Sequence, residues 1–138
     1  MIPPRYTCGG ENVSPPLAWE SVPEGTKSLA LIAEDPDAPG KTFAHWVVFG
    51  IPAGTRSLPE NVPAQTSVAG LGRQGMNDFG KTGYGGPCPP SGTHRYFFKL
   101  YALDADLGLD PSATRRQLLE DIEGHVLAEG QLMGKYGK

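Results

Sequence analysis

Three side chains in this sequence have the types and placement to do chemistry together. They are the carboxylate of Asp35 and the imidazoles of His45 and His94, each at a junction between a stiff loop and an apolar run. Asp35 opens the stretch Asp35-Pro36-Asp37-Ala38-Pro39-Gly40, whose prolines fix φ and bias the residues before them to extended conformations, so neither carboxylate rides on a helix. His45 follows that loop, and His94 follows a second one, Tyr84-Gly85-Gly86-Pro87-Cys88-Pro89-Pro90-Ser91-Gly92-Thr93. Backbone amides of such loops are available to a small anion.

Four chemistries compete for these groups. Two imidazoles and a carboxylate form the ligand set of several zinc and iron centres, but no H-x-x-x-H spacing joins the histidines. The Asp35 loop imitates the start of a calcium loop and fails where an oxygen ligand is needed at Pro39 and a glutamate at Trp46. Nucleophilic catalysis lacks a serine in G-x-S-x-G, and Cys88, between two prolines, is near His94 only in sequence. The fourth is a polar pocket for an anion or zwitterion, with imidazoles and amides holding a phosphate or carboxylate and Asp35 orienting a histidine or accepting from an ammonium. That pocket needs no metal, cofactor or reactive nucleophile.

The elements that must position these groups are short strands. Leu29-Ala30-Leu31-Ile32-Ala33 and Trp46-Val47-Val48-Phe49 are continuous apolar runs bounded by turn residues, which favours strands covered on both faces, the first from about Lys27 to Ala33. Arg95 to Leu103 alternates, with Tyr96, Phe98, Leu100 and Ala102 on a buried face and Phe97, Lys99, Tyr101 and Leu103 on a partly wet one. Between about Ala53 and Pro90 the chain reads as irregular. Gly70-Leu71-Gly72-Arg73-Gln74-Gly75 matches G-x-G-x-x-G, but no helix opens from it, so dinucleotide binding is set aside. Asp110-Pro111 predicts an N-cap and first turn for a helix through Leu118, Leu119 and Ile122 that ends near Gly124, and a second short helix is predicted around His125 to Met133. Strands first and helices last predict a mainly β domain with peripheral C-terminal helices.

Composition narrows the partners. A chain of 138 residues suits a single domain, 1–138, and a net charge of −3 with no basic run longer than Arg115-Arg116 excludes the footprint of a nucleic-acid binder. No apolar stretch approaches a transmembrane span and no export signal opens the sequence, so a soluble, cytoplasmic protein is expected. Asn12-Val13-Ser14 matches a glycosylation sequon and is read as chance. Cys8 and Cys88 are expected to be free thiols, with a bridge between them left open because both loops could meet at one rim.

Several of these segments together resemble one family. Asp35-Pro36-Asp37-Ala38-Pro39, His45-Trp46 and Gly86-Pro87-Cys88-Pro89-Pro90-Ser91-Gly92-Thr93-His94-Arg95-Tyr96 resemble the two signature segments of the phosphatidylethanolamine-binding proteins (PEBP). The likeness is to the bacterial and archaeal Raf kinase inhibitor-like branch, of YbhB/YbcL type. Tyr6-Thr7-Cys8, Ser14-Pro15-Pro16-Leu17 and Met76-Asn77-Asp78-Phe79-Gly80 extend it over nearly the whole chain. The resemblance implies an antiparallel β-sandwich and a small pocket for phosphate-like anions or a phosphoethanolamine head group. Asp35, His45 and His94 match that pocket's polar residues, Tyr84, Pro89 and Pro90 its wall, and Cys88 stands where eukaryotic members often have glycine. It also implies a cis peptide before Pro39. Members usually carry a further strand before the segment at Ile2, so either the start of the chain is shortened or one sheet edge is left uncovered, for a second subunit of a homodimer to close. A non-enzymatic binding protein that modulates a partner protein is the leading expectation. An inhibitor of a kinase or protease acting through a surface loop, and a His/Asp acid-base hydrolase, are the alternatives.

Overall fold

The structure, a computed structural model, describes residues 1–137. After a single 3-10 turn at Pro4–Tyr6, the elements are β1 (Leu17–Ala18), β2 (Ser28–Asp35), β3 (Phe43–Pro52), β4 (Ser57–Leu58), β5 (Ser67–Val68), β6 (Gly72–Gln74), β7 (Thr93–Leu103), α1 (Arg115–Ile122) and β8 (Val126–Gly137). Six strands form one antiparallel sheet in the order β5-β6-β3-β2-β7-β8, and β1 and β4 pair as a small ribbon. The mainly β, antiparallel expectation therefore holds.

β2 is central and buried along its whole length, as a continuous apolar run demands. Its side chains alternate between two cores. Leu29, Leu31 and Ala33 pack with Trp46, Val48, Phe98 and the ribbon's Leu58, while Ala30 and Ile32 pack with Val47, Phe49, Leu103 and the helix residues Leu118 and Ile122. Alternation then sends Glu34 to the helix side, where Lys99 and Arg115 pair with it, and Asp35 to the other side.

Four expectations are corrected. The segment after Gly124 is not a second helix, so α1 is the α-helix among the described residues. Gly124 at φ +82° reverses the chain, and its apolar residues are drawn into β8, which pairs with β7 from Thr93↔Gly137 to Leu103↔Val126. Gly130 and Gly134 weaken any helix there, and the ladder overrides local preference. The helix cap is Thr114, in a capping box with Gln117, while Asp110 closes a turn by accepting from the Ala113 amide. Cys8 and Cys88 are joined in a disulfide with Cα atoms 5.4 Å apart, which rules out free thiols. All described peptide bonds are trans, including the one before Pro39; the turn is made instead by the Asp37 amide donating to Asp35 Oδ1 at 2.8 Å and by Gly40 at φ +82°. The G-x-G-x-x-G stretch is the β5–β6 hairpin, as its lack of a following helix implied.

β8 forms an outer edge, and its side chains are mostly exposed. The layering gives a contrast to measure. Ile32→Ala, which empties a fully buried site, should lower unfolding free energy by about 2–5 kcal/mol. Leu132→Ala, at a side chain 60% exposed on β8, should stay within about 0.5 kcal/mol in the same denaturant titration.

Candidate functional site

Asp35, at the end of β2, and His94, at the start of the neighbouring β7, lie on the same side of the sheet. His94 Nδ1 and Asp35 Oδ2 are 2.7 Å apart with both side chains nearly buried, so the imidazole N–H donates to the carboxylate. The other carboxylate oxygen is taken by the Asp37 amide. Asp37 in turn forks onto the Arg95 guanidinium at 2.8 and 2.9 Å and accepts from the Arg95 amide, so the loop carrying Pro39 is clamped to the start of β7. Arg95 holds the Asp37 carboxyl well below the usual carboxylate range.

His45 reaches this side of the sheet through a defect. Along β3, Ala33 pairs with Trp46 but Glu34 pairs with Ala44, so His45 is the extra residue of a β-bulge. Strict alternation would have sent it toward the helix with Ala44 and Val47; the one-residue slip turns it to the side that holds Asp35. Its Nδ1 donates to the Gly85 carbonyl at 2.7 Å, and the Gly85 amide donates back to the His45 carbonyl at 2.9 Å. That fixes the tautomer and leaves Nε2 as a lone-pair acceptor. Burial, the largest influence, holds the imidazole below its ordinary pKa of 6.5.

These groups line a cavity of about 180 Å³. Ala38, Pro39 and Phe43 from the first proline loop, Cys88, Pro89 and Pro90 from the second, and Phe79 and Tyr96 complete its lining. Phe79 is held by the Asn77 side chain, which accepts from the Phe79 and Lys81 amides and donates to Gly83 O. Phe43, Phe79 and Tyr96 surround the His45 ring at centroid distances of 5.0, 5.5 and 5.3 Å. Among the described residues, the Tyr96 hydroxyl is the buried side-chain polar atom with no hydrogen-bond partner. Burial, reinforced by Asp35 and Asp37, pushes its pKa up, so it is an O–H donor at every ordinary pH.

Of the residues expected at the site, Asp35, His45, Cys88, Pro89, Pro90 and His94 line one cavity. Tyr84 does not. Its ring packs edge-on against Trp46 in the core and its hydroxyl donates to Tyr6 O at 2.6 Å, so it anchors the N-terminal segment beneath the wall. Sequence reasoning missed Tyr96, Phe43 and Phe79. For Tyr96 the signal was available, since it lies two residues after His94 on the same strand face. A larger groove of about 340 Å³ runs between Trp19 and Leu132 on the same side of the sheet, but its lining includes no titratable side chain, so the chemistry points to the smaller cavity.

Comparison with known proteins identifies the family and the fold. The sequence profile of the phosphatidylethanolamine-binding protein family matches residues 1–137. A UPF0098 protein of Methanothermobacter thermautotrophicus is 58% identical, the match covering 98% of this chain and 89% of that one. A UPF0098 protein of Aquifex aeolicus is 53% identical, covering 98% and 80%. Among solved structures, a Chlamydia trachomatis PEBP homologue, CT736, superposes with a TM-score of 0.90 at 41% identity, covering 99% of this chain and 89% of that one. Escherichia coli YbcL, described as a member of the mammalian PEBP family, gives 0.88 at 38% identity, covering 95% and 84%.

The buried, neutral His45 predicts a pH dependence. The unfolded chain takes up a proton at this imidazole near its ordinary pKa of 6.5, whereas the folded chain does so only at a lower pH. Its contribution to stability is therefore intact above that value and is lost progressively as pH falls from there to the lowered folded pKa. Denaturant midpoints across this range should show the loss, and His45→Gln should flatten it.

Proposed function

The chain belongs to the phosphatidylethanolamine-binding protein family, and from that membership and the cavity's chemistry we propose that it is a non-enzymatic binding protein for a small phosphate-bearing ligand. The ligand class is inorganic phosphate, a phosphomonoester or a phosphoethanolamine head group. The observation that carries this reading is that Tyr96, whose buried hydroxyl lacks a partner, lines one cavity with His45, His94 and Asp35. A buried hydroxyl without a partner costs about 1–3 kcal/mol, which an acceptor oxygen on a ligand would recover.

Each polar group then has a task. Tyr96 donates to a phosphate oxygen. His94, oriented by Asp35, presents Nε2 to the anion. His45, with its Nδ1 proton committed to Gly85, offers Nε2 as an acceptor for a P–OH or an ammonium proton. Pro39 and Pro90 flank the ligand without offering donors of their own. A cavity of about 180 Å³ accommodates a head group and not the chains of a lipid. The Asp35–His94 pair also resembles an acid-base couple, yet the lining holds no hydroxyl or thiol free to act as a nucleophile beside it, since Cys88 is bridged and the Tyr96 phenol stays protonated. A covalent intermediate on a hydroxyl or thiol is therefore disfavoured, and family membership favours binding over hydrolysis by an activated water. The bridge itself suits an oxidising compartment, or the interior of a hyperthermophile, better than the reducing cytoplasm.

Titrating inorganic phosphate and phosphoethanolamine into isotopically labelled protein should shift the ring signals of His45, His94 and Tyr96 together. Tyr96→Phe should weaken binding about fivefold, equivalent to about 1 kcal/mol, without loss of fold. An absence of shifts at millimolar ligand, or turnover of a phosphoester panel that His94→Ala abolishes, would overturn the reading.

A further inference from the structure

The Cys8–Cys88 disulfide sits where its redox state can control the cavity. The segment Cys88 to Gly92 forms one wall through Cys88, Pro89 and Pro90, and Gly92 at φ +69° then turns it into β7. Up to Pro87 the preceding loop is tied down by hydrogen bonds: Gly85 to His45 both ways, the Gly86 amide to Asn12 Oδ1 at 2.8 Å, and the Cys8 amide to Pro87 O at 3.1 Å. Beyond Pro87 these ties stop. Among the described residues, no hydrogen bond joins any of Cys88 to Ser91 to the rest of the chain. The two prolines have no amide to offer. Among the described residues, apart from the burial of Pro89, the sulfur–sulfur bond is the specific tie on this wall. The first proline loop, by contrast, is clamped without covalent help by the Asp37–Arg95 fork. Both cysteines are exposed, so a thiolate in solution can reach the bond.

We propose that the Cys8–Cys88 bridge is a redox latch on the cavity wall, so that the oxidised chain holds the phosphate-binding shape and a dithiol reductant releases it. The chemistry is thiol–disulfide exchange. A thiolate of the reductant attacks one sulfur, forms a mixed disulfide and expels the other as a thiolate; the reductant's second thiol resolves the mixed bond. Two electrons and two protons pass to the protein, which gains two thiols, and the reductant leaves as its own disulfide. With the bond open, Pro89 and Pro90 exchange between wall and solvent, and apparent affinity falls by the fraction of time the wall is formed.

This latch rests on the phosphate-binding reading, and the experiment separates the two. Oxidised protein and protein reduced with dithiothreitol, each verified by mass after thiol alkylation, are titrated with inorganic phosphate, with the Cys8→Ser/Cys88→Ser double variant as a permanently open form. Nitrogen-15 relaxation of Ser91 and Gly92 is recorded on all three. The expected result is at least threefold weaker phosphate binding after reduction, recovered on reoxidation, a double variant that matches the reduced protein and ignores reductant, and greater mobility of Ser91 and Gly92 in both open forms. Equal affinity and unchanged mobility in the two redox states would overturn the latch, as would global unfolding on reduction, which would make the bridge a staple of the fold. If oxidised protein fails to bind phosphate, the functional reading falls, and the mobility of Ser91 and Gly92 still decides whether the bridge controls the wall.

Discussion

The contact on which this structure turns is the 2.7 Å hydrogen bond between Asp35 and His94, made by residues at the ends of two adjacent strands. A buried carboxylate is costly unless it is paired and hydrogen-bonded. Here each oxygen has a donor, one from the imidazole and one from the Asp37 amide, so the sheet can end in a charge without opening to water. β2 makes this possible because it is buried on both faces and paired on both edges. Its register with β7 leaves little freedom in where Asp35 and His94 meet, since a slip of one residue would turn every side chain to the wrong side.

Around that contact the two sides of the sheet differ. The helix side of the sheet absorbs Glu34 with Lys99 and Arg115, away from the cavity that Asp35 lines. The other side is built for access, with a bulge that redirects His45, a proline loop clamped by Arg95 and a second proline loop held by a disulfide. The cavity's polar groups therefore come from three strands, and its walls from loops whose stiffness lies in proline and in a few strong ties.

Much of this was legible in the sequence for physical reasons that can be named. Continuous apolar runs at Leu29–Ala33 and Trp46–Phe49 can only be doubly covered strands in a chain this rich in turns, and the proline loops put Asp35, His45 and His94 at strand ends. Two kinds of information were not local. The strand after Gly124 has residues that read equally well at helical spacing, and only its pairing with β7 decides the matter. The bulge at His45 is a property of the register between two strands, so sequence alternation alone would have placed that imidazole on the wrong face. Tyr84 shows the converse error: it adjoins the wall in sequence, yet its ring is drawn into the core beside Trp46 and its hydroxyl into the N-terminal segment. The cysteines are a third case, because no spacing rule pairs two residues 80 apart, and only the packing of the N-terminal arm against the Gly85–Pro87 backbone brings them together.

The central claim is that one cavity gathers Asp35, His45, His94 and Tyr96 to hold a phosphate group, and diffraction from crystals soaked in phosphate tests it most directly. The account predicts tetrahedral density in the cavity, within hydrogen-bond reach of Tyr96 Oη and of Nε2 of both histidines, with the Asp35–His94 bond retained. A cavity that stays free of anion under those conditions, or one closed by Phe79 or Pro90 so that Tyr96 finds a protein partner, would contradict it.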